Sequence, residues 1–111
     1  MREPTYFILA ALQDEPLHGY AIIKRAGELS GGRVRLATGT LYAALDRLSG
    51  EALVEVVRDE VVNGRARRYY ALTPGGRDAL QAEAAVLAQA VRVVTGRTTR
   101  AASPRPAGGL A

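Results

Sequence analysis

Arg65, Arg67 and Arg68 crowd into four positions directly after Asn63-Gly64. Asn-Gly supplies the positive φ angles that a hairpin tip needs, so the spacing predicts arginines at or beside a tip. Guanidinium groups are planar donors suited to bidentate contacts with phosphate or carboxylate. Three of them in one place would displace counterions from a polyanion without regard to its sequence. Strand alternation puts Arg67 and Arg68 on opposite faces, which makes Arg65 at the tip the first candidate for contact. The competing use of the same charges is to keep an edge strand from pairing with another chain.

Catalysis has no comparable constellation. The chain contains no Cys, which excludes disulfide scaffolds, thiolate metal sites and cysteine nucleophiles. His18, the only histidine, has no second His or Cys with which to hold a metal, and is expected in helix-start packing and hydrogen bonding. Carboxylates are scattered rather than paired, no Gly-rich phosphate loop occurs, and no Ser or Thr has a base nearby. An enzyme is not expected, and neither is a metal or a cofactor.

The elements that must position these residues belong to one domain, since 111 residues with 48% hydrophobic and 23% charged content is ordinary for a single soluble core. The net charge of +4 conceals an asymmetry. Residues 1–60 carry seven basic and nine acidic side chains, whereas residues 61–111 carry eight and two. Positive charge is therefore concentrated in the second half. All but one of the 15 basic residues are Arg, a bias that suits phosphate contacts and that a genome rich in G and C would also produce. The longest apolar run, Tyr6 to Leu12, is too short to span a bilayer, and no signal-peptide pattern opens the chain. A cytoplasmic location with no membrane partner is expected.

Pro4 opens a first helix that runs to about Gln13. It is apolar nearly all round, which gives it two neighbours, one of them a partner subunit. A second helix is expected from about His18 to Leu29, with Tyr20, Ile23, Ala26 and Leu29 as its buried stripe, and Ser30-Gly31-Gly32 ends it. Arg33-Val34-Arg35-Leu36 alternates and predicts one short strand. Thr38 is placed to cap a third helix, Gly39 to about Ser49, whose Leu41, Ala44, Leu45 and Leu48 share one side. The other side presents Thr40, Tyr42, Ala43, Asp46 and Arg47. Two β-rich runs follow, Leu53 to about Asp59 and Arg67 to Leu72. Thr73-Pro74 then starts a fourth helix, expected to end near Thr95. Its Leu80, Ala84, Leu87, Val91 and Val94 alternate steps of four and three, the period of a seam between two helices. From residue 96 to 111 the chain loses periodicity and is expected to be a disordered basic tail.

Helix, helix, strand, helix, hairpin, helix is the order of a winged helix-turn-helix, an α+β and mainly helical fold. That reading assigns residues 1–72 to a DNA-binding domain and 73–95 to a C-terminal dimerisation helix. The third helix would enter the DNA major groove and the hairpin would become a wing over the backbone or the minor groove. Tyr42 is expected to touch a base or phosphate. Thr38 and Thr40 either cap the helix or bind phosphate as well. Arg47 either reaches a phosphate or guanine or pairs with Asp46 or Glu51. Tyr70, in phase with Leu72, is expected in the core, with Tyr69 partly exposed.

Leu17-His18-Gly19-Tyr20, then Gly39-Thr40-Leu41-Tyr42 with Leu45 and Leu48, and the stretch Gly64-Arg65-Ala66-Arg67-Arg68-Tyr69-Tyr70-Ala71-Leu72-Thr73-Pro74-Gly75-Gly76 together resemble the PadR family of bacterial transcriptional regulators, in its short-tailed subgroup. The resemblance covers roughly residues 5 to 80. It implies a homodimeric repressor, paired through its first and last helices by Tyr6, Phe7, Leu80, Ala84, Leu87, Val91 and Val94. Such a dimer would bind an inverted-repeat double-stranded DNA operator and release it on a small-molecule or stress signal. A hydrophobic effector would rely on Phe7, Tyr6, Leu or Val near the seam, since the chain has no Trp. Two positions depart from the pattern, with Ala43 where many relatives have Pro and Ala52 where they have Gly. The rival class is a winged-helix docking module that binds protein and not DNA. A MarR-like regulator is a nearer alternative, against which the Gly39–Tyr42 and Arg67–Tyr70 motifs argue.

Overall fold

The computed structural model describes the backbone of residues 1–102 and the side chains of residues 1–96. Helix α1 (Glu3–Ala11) carries Pro4 in its first turn, where the missing N–H would have no helical partner. Strand β1 (Leu17–His18) leads directly into α2 (Gly19–Leu29). The exit from α2 is a Schellman turn in which Gly32 donates to the Gly27 carbonyl and Gly31 to that of Glu28. Both glycines stand at positive φ, 65° and 87°, which L side chains adopt only at a cost.

The strand expected at Arg33–Leu36 is absent. Instead the Val34 N–H donates to Ser30 Oγ at 2.9 Å, and Ser30 Oγ donates to the Gly27 carbonyl at 3.2 Å. A side chain rather than a ladder satisfies this backbone, and Val34 is buried without a partner strand. The third member of the sheet is β1, too short to carry a periodic signal.

Helix α3 (Thr38–Gly50) begins one residue earlier than expected, with Ala37 at the N-cap and no side-chain cap. The expected Thr38 cap is thus corrected: Thr38 lies inside the first turn and its hydroxyl serves no capping role. Leu41, Leu45 and Leu48 are fully buried on the predicted stripe, and Ala44 packs at its margin. The helix ends in a second Schellman turn, Leu53 N to Leu48 O and Ala52 N to Ser49 O, which holds the non-glycine Ala52 at φ 60°.

Strands β2 (Val54–Val62) and β3 (Arg65–Leu72) form a hairpin whose two-residue tip, Asn63-Gly64, has φ 53° and 76°, the geometry that matches the twist of the flanking strands. Both strands are longer than their apolar content suggested. β3 is central, paired antiparallel with β1 through Leu17 opposite Tyr70 and with β2 through Val54 opposite Leu72. An irregularity between Val56 and Arg58 leaves Val57 unpaired. Helix α4 (Pro74–Ala102) starts on a true cap, with the Gly76 N–H donating to Thr73 Oγ1 at 2.9 Å, while that hydroxyl donates to the Ala52 carbonyl at 2.6 Å. It continues past the expected end at Thr95 to Ala102. A lone Gly96 costs a helix only about 1 kcal/mol against Ala, and no Pro follows before Pro104. The remainder of the expected tail, 103–111, lies outside the described residues.

The chain divides into two units, Met1–Gln81 and a second beginning at Ala82. The core of the first is Ile8, Leu9 and Leu12 from α1, Ile22 from α2, the α3 leucines, and Val54, Tyr70, Leu72 and Leu80. Removing one such Leu side chain costs about 2–5 kcal/mol. Leu80, assigned by its spacing to a seam between subunits, therefore belongs to the protomer's own core. Tyr20 is 74% exposed, a further correction: Gly19, Ile22 and Ala26 form the buried side of α2. Tyr70 is buried and Tyr69 half-buried, as expected. Among the described residues no helix is long and apolar enough to cross a membrane.

Candidate nucleic-acid interface

Three leucines pin α3 into the core by one side and leave Thr38, Gly39, Thr40, Tyr42, Ala43, Asp46 and Arg47 exposed. Polar, small and aromatic groups thus share one solvent face. Tyr42 is 40% exposed, and its phenol lies over the backbone of Gly19, the first residue of α2. Contact of this closeness requires that Gly19 have no side chain. The helix-start motif and the α3 motif therefore meet physically.

Between α3 and the hairpin lies a cleft of about 350 Å³ lined by Tyr42, Asp46, Asp59, Ala66, Arg68 and Tyr70. Arg68 Nε donates to Asp59 Oδ1 at 3.4 Å, and Tyr70 lines the same cleft. The hydrogen bond and charge of Asp59, then those of Tyr70, raise the Arg68 pKa above its ordinary value. Burial raises the Tyr70 hydroxyl, and Arg68 partly offsets it. Arg68 is thus engaged at the root of the wing.

Arg65 and Arg67 differ. Both are exposed, and among the described residues neither forms a salt bridge. Glu60, directly across the ladder from Arg67, is occupied by Arg58 Nε at 3.2 Å and by the Tyr69 hydroxyl, which donates to it at 3.1 Å. Arg58 also lies 4.0 Å from the Tyr69 ring centroid, and His18 stacks edge-on against the same ring at 5.4 Å. Burial first, then the charge of Arg67, lower the His18 pKa, with Glu60 opposing them. This Arg58–Glu60–Tyr69–His18 cluster was not legible in sequence, because its members come from three strands.

Arg47 takes neither of the acidic partners expected for it. Its Nη2 donates to Thr5 Oγ1 at 3.0 Å, forty-two positions away in sequence. Of the residues assigned to subunit pairing, Tyr6 and Phe7 are half-buried and meet edge-on at 5.3 Å. Within the second unit Ala84 is half-buried, while Leu87, Val91 and Val94 are exposed along α4.

Comparison with known proteins agrees with this architecture. Residues 8–82 match the transcriptional regulator PadR-like family. The transcriptional regulator Rv3488 of Mycobacterium tuberculosis is 40% identical over 89 residues, covering 80% of this chain and 79% of its own. An uncharacterized 37.1 kDa protein of transposon Tn4556 from Streptomyces fradiae is 41% identical over 97 residues, and the match spans 87% of this chain but only 25% of that protein's length. A PadR-like transcription factor of Bacteroides fragilis superposes with a TM-score of 0.69 at 30% identity, over 83% of this chain and 86% of that one. Bacillus subtilis PadR in complex with operator DNA superposes at 0.63 with 26% identity, over 72% of this chain and 46% of that one. The chain is a winged helix-turn-helix protein of the transcription-factor class, not an enzyme. It belongs to the PadR-like family of transcriptional regulators.

Proposed function

We propose that this regulator is a repressor acting in the cytoplasm, a homodimer that binds an inverted-repeat operator in double-stranded DNA and is released by a small-molecule or stress signal. The observation that carries the reading is the exposed polar side of α3 facing the wing across the cleft lined by Tyr42 and Arg68, with Arg65 and Arg67 on the other face of β3 and without an acidic partner among the described residues. Thr38, Thr40, Tyr42 and Arg47 present hydroxyl, aromatic and cationic groups to a major groove, and the wing arginines supply backbone affinity. Arg68 contributes through Asp59 and Tyr70, holding the wing rather than reaching out. That the B. subtilis relative is seen in complex with operator DNA supports DNA as the partner.

Residues 1–72 form the reading head in this proposal, and 73–95 the pairing helix. The exposed Leu87, Val91 and Val94 supply the apolar surface that pairing would cover, with Ala84 beside them, and Tyr6 and Phe7 add the second contact. Leu80 drops out of this set. Binding to the chain's own upstream region tests the division of labour. Arg65→Ala lowers affinity for all duplexes about equally, whereas Tyr42→Ala erodes preference for the operator; the reverse pattern contradicts it. Val91→Asp is expected to sediment as a monomer and to lose operator binding, and a variant still dimeric would contradict pairing through α4.

A further inference from the structure

On the flank of α3 away from the wing lies a second cleft, of about 520 Å³, between that helix and the first turn of α1. Arg2 and Thr5 contribute from the α1 side, Thr40 and Arg47 from α3, over a floor that includes Ile8 and Leu36. At 3.6 residues per turn Thr40, Ala43, Ala44 and Arg47 fall on one flank, and Tyr42 and Asp46 on the other. Two guanidiniums therefore share one apolar-floored cleft.

The charge balance around it is one-sided. Glu3, next to Arg2, is ion-paired with Arg33, and Asp46, next to Arg47, lines the wing-side cleft on the other flank of α3. Among the described residues neither Arg2 nor Arg47 has a carboxylate partner, and Arg47 is held in place by the Thr5 hydroxyl. The apolar floor lowers the local dielectric and so strengthens attraction for an anion. A helix about 10–12 Å across fills a major groove about 12 Å wide, and so meets one phosphate strand on each flank. The wing covers one of these strands.

We propose that the cleft formed by Arg2, Thr5, Thr40 and Arg47 seats a phosphodiester of the second strand, making α1 a backbone clamp opposite the wing. This rests on the DNA-binding reading above and adds to it a site that recognises a phosphodiester, whatever the base sequence. Arg47 donates in charge-assisted fashion to the phosphate while keeping Thr5, and Arg2 closes over it from the side.

Two measurements on the full chain test this independently. In the first, the ¹⁵N-labelled protein is titrated with dimethyl phosphate, and the amides of Thr5 and Thr40 and the Arg47 side chain are expected to shift in the wild type but not in Arg2→Gln. In the second, Arg2→Gln is expected to bind operator and unrelated duplex alike about tenfold more weakly. Its log-affinity against log-salt slope should be smaller by about one, and Arg2→Lys should restore most of the slope. Absence of cleft shifts overturns the proposal even if the wing variants still weaken DNA binding. Cleft shifts with an unchanged salt slope overturn the DNA assignment and identify a site for free anions. A wild type that ignores DNA altogether removes the broader reading and this clamp with it, whatever dimethyl phosphate does.

Discussion

The phenol of Tyr42 occupies the space that a side chain on Gly19 would need: a Cβ atom there would stand 2.8 Å from the ring carbon Cζ and closer still to the hydroxyl oxygen. The first residue of α2 thereby fixes the aim of the aromatic on α3. Gly19→Ala is expected to push the ring aside, because the tip of a flexible side chain yields more easily than backbone. Stability should change by less than about 1 kcal/mol in chemical denaturation, while operator preference should fall as it does in Tyr42→Ala. Unchanged operator preference would separate Tyr42 from DNA recognition.

The paired glycines that open α4 are not equivalent. A Cβ on Gly76 would lie 2.9 Å from the Leu53 carbonyl carbon and inside the contact distance of its oxygen, whereas a Cβ on Gly75 would stand an ordinary 3.6 Å from the Ala52 carbonyl oxygen. Gly76→Ala therefore collides with backbone that is itself held by the Schellman turn, and should destabilise the protein by about 3 kcal/mol or more. Gly75→Ala should be neutral or stabilising by up to about 1 kcal/mol, through helix propensity. Equal denaturation midpoints for the two variants would refute this distinction.

Ala52 holds a left-handed conformation, φ 60°, which a residue with a side chain adopts only at a cost. Ala52→Gly should raise stability by about 0.5–1 kcal/mol, the relieved steric cost less the added freedom of the unfolded chain. Thermal unfolding of the single variant checks the sign.

His18 gives the wing root a pH dependence. Its folded pKa lies below the ordinary 6.5, chiefly through burial, with Arg67 adding repulsion. Below pH 6.5 the unfolded chain therefore binds more protons than the folded one, so this contribution is fully present above 6.5 and is lost as pH falls toward the folded pKa. The drop in melting temperature between pH 7 and pH 5 should be smaller in His18→Gln than in the wild type. Equal drops would show that His18 does not contribute.

Long-period features were legible in the sequence. The buried Leu41, Leu45 and Leu48 follow directly from helical spacing, and the hairpin tip from Asn63-Gly64. Features set by tertiary contact were not. The two residues of β1 become a strand only because β3 offers them a partner, and Arg33–Leu36 fails to become one because Ser30 takes the Val34 N–H. Tyr20 has the spacing of a core residue, yet Gly19 and Ile22 take the inward side of α2. Leu80 fits a heptad seam and a protomer core equally well by spacing alone. Arg2 and Thr5 carried no local signal at all, since what makes them interesting is Arg47, brought to them by the packing of α1 on the core.

The central claim is that the exposed side of α3 and the free wing arginines read DNA together. Fluorescence anisotropy of the wild-type protein, with its own upstream duplex and an unrelated duplex across a salt series, tests it most directly. The expected result is operator affinity at least about 10³-fold tighter than that for the unrelated duplex at physiological salt, with both affinities falling steeply as salt rises. Equal affinity for the two duplexes, or affinity indifferent to salt, would contradict it.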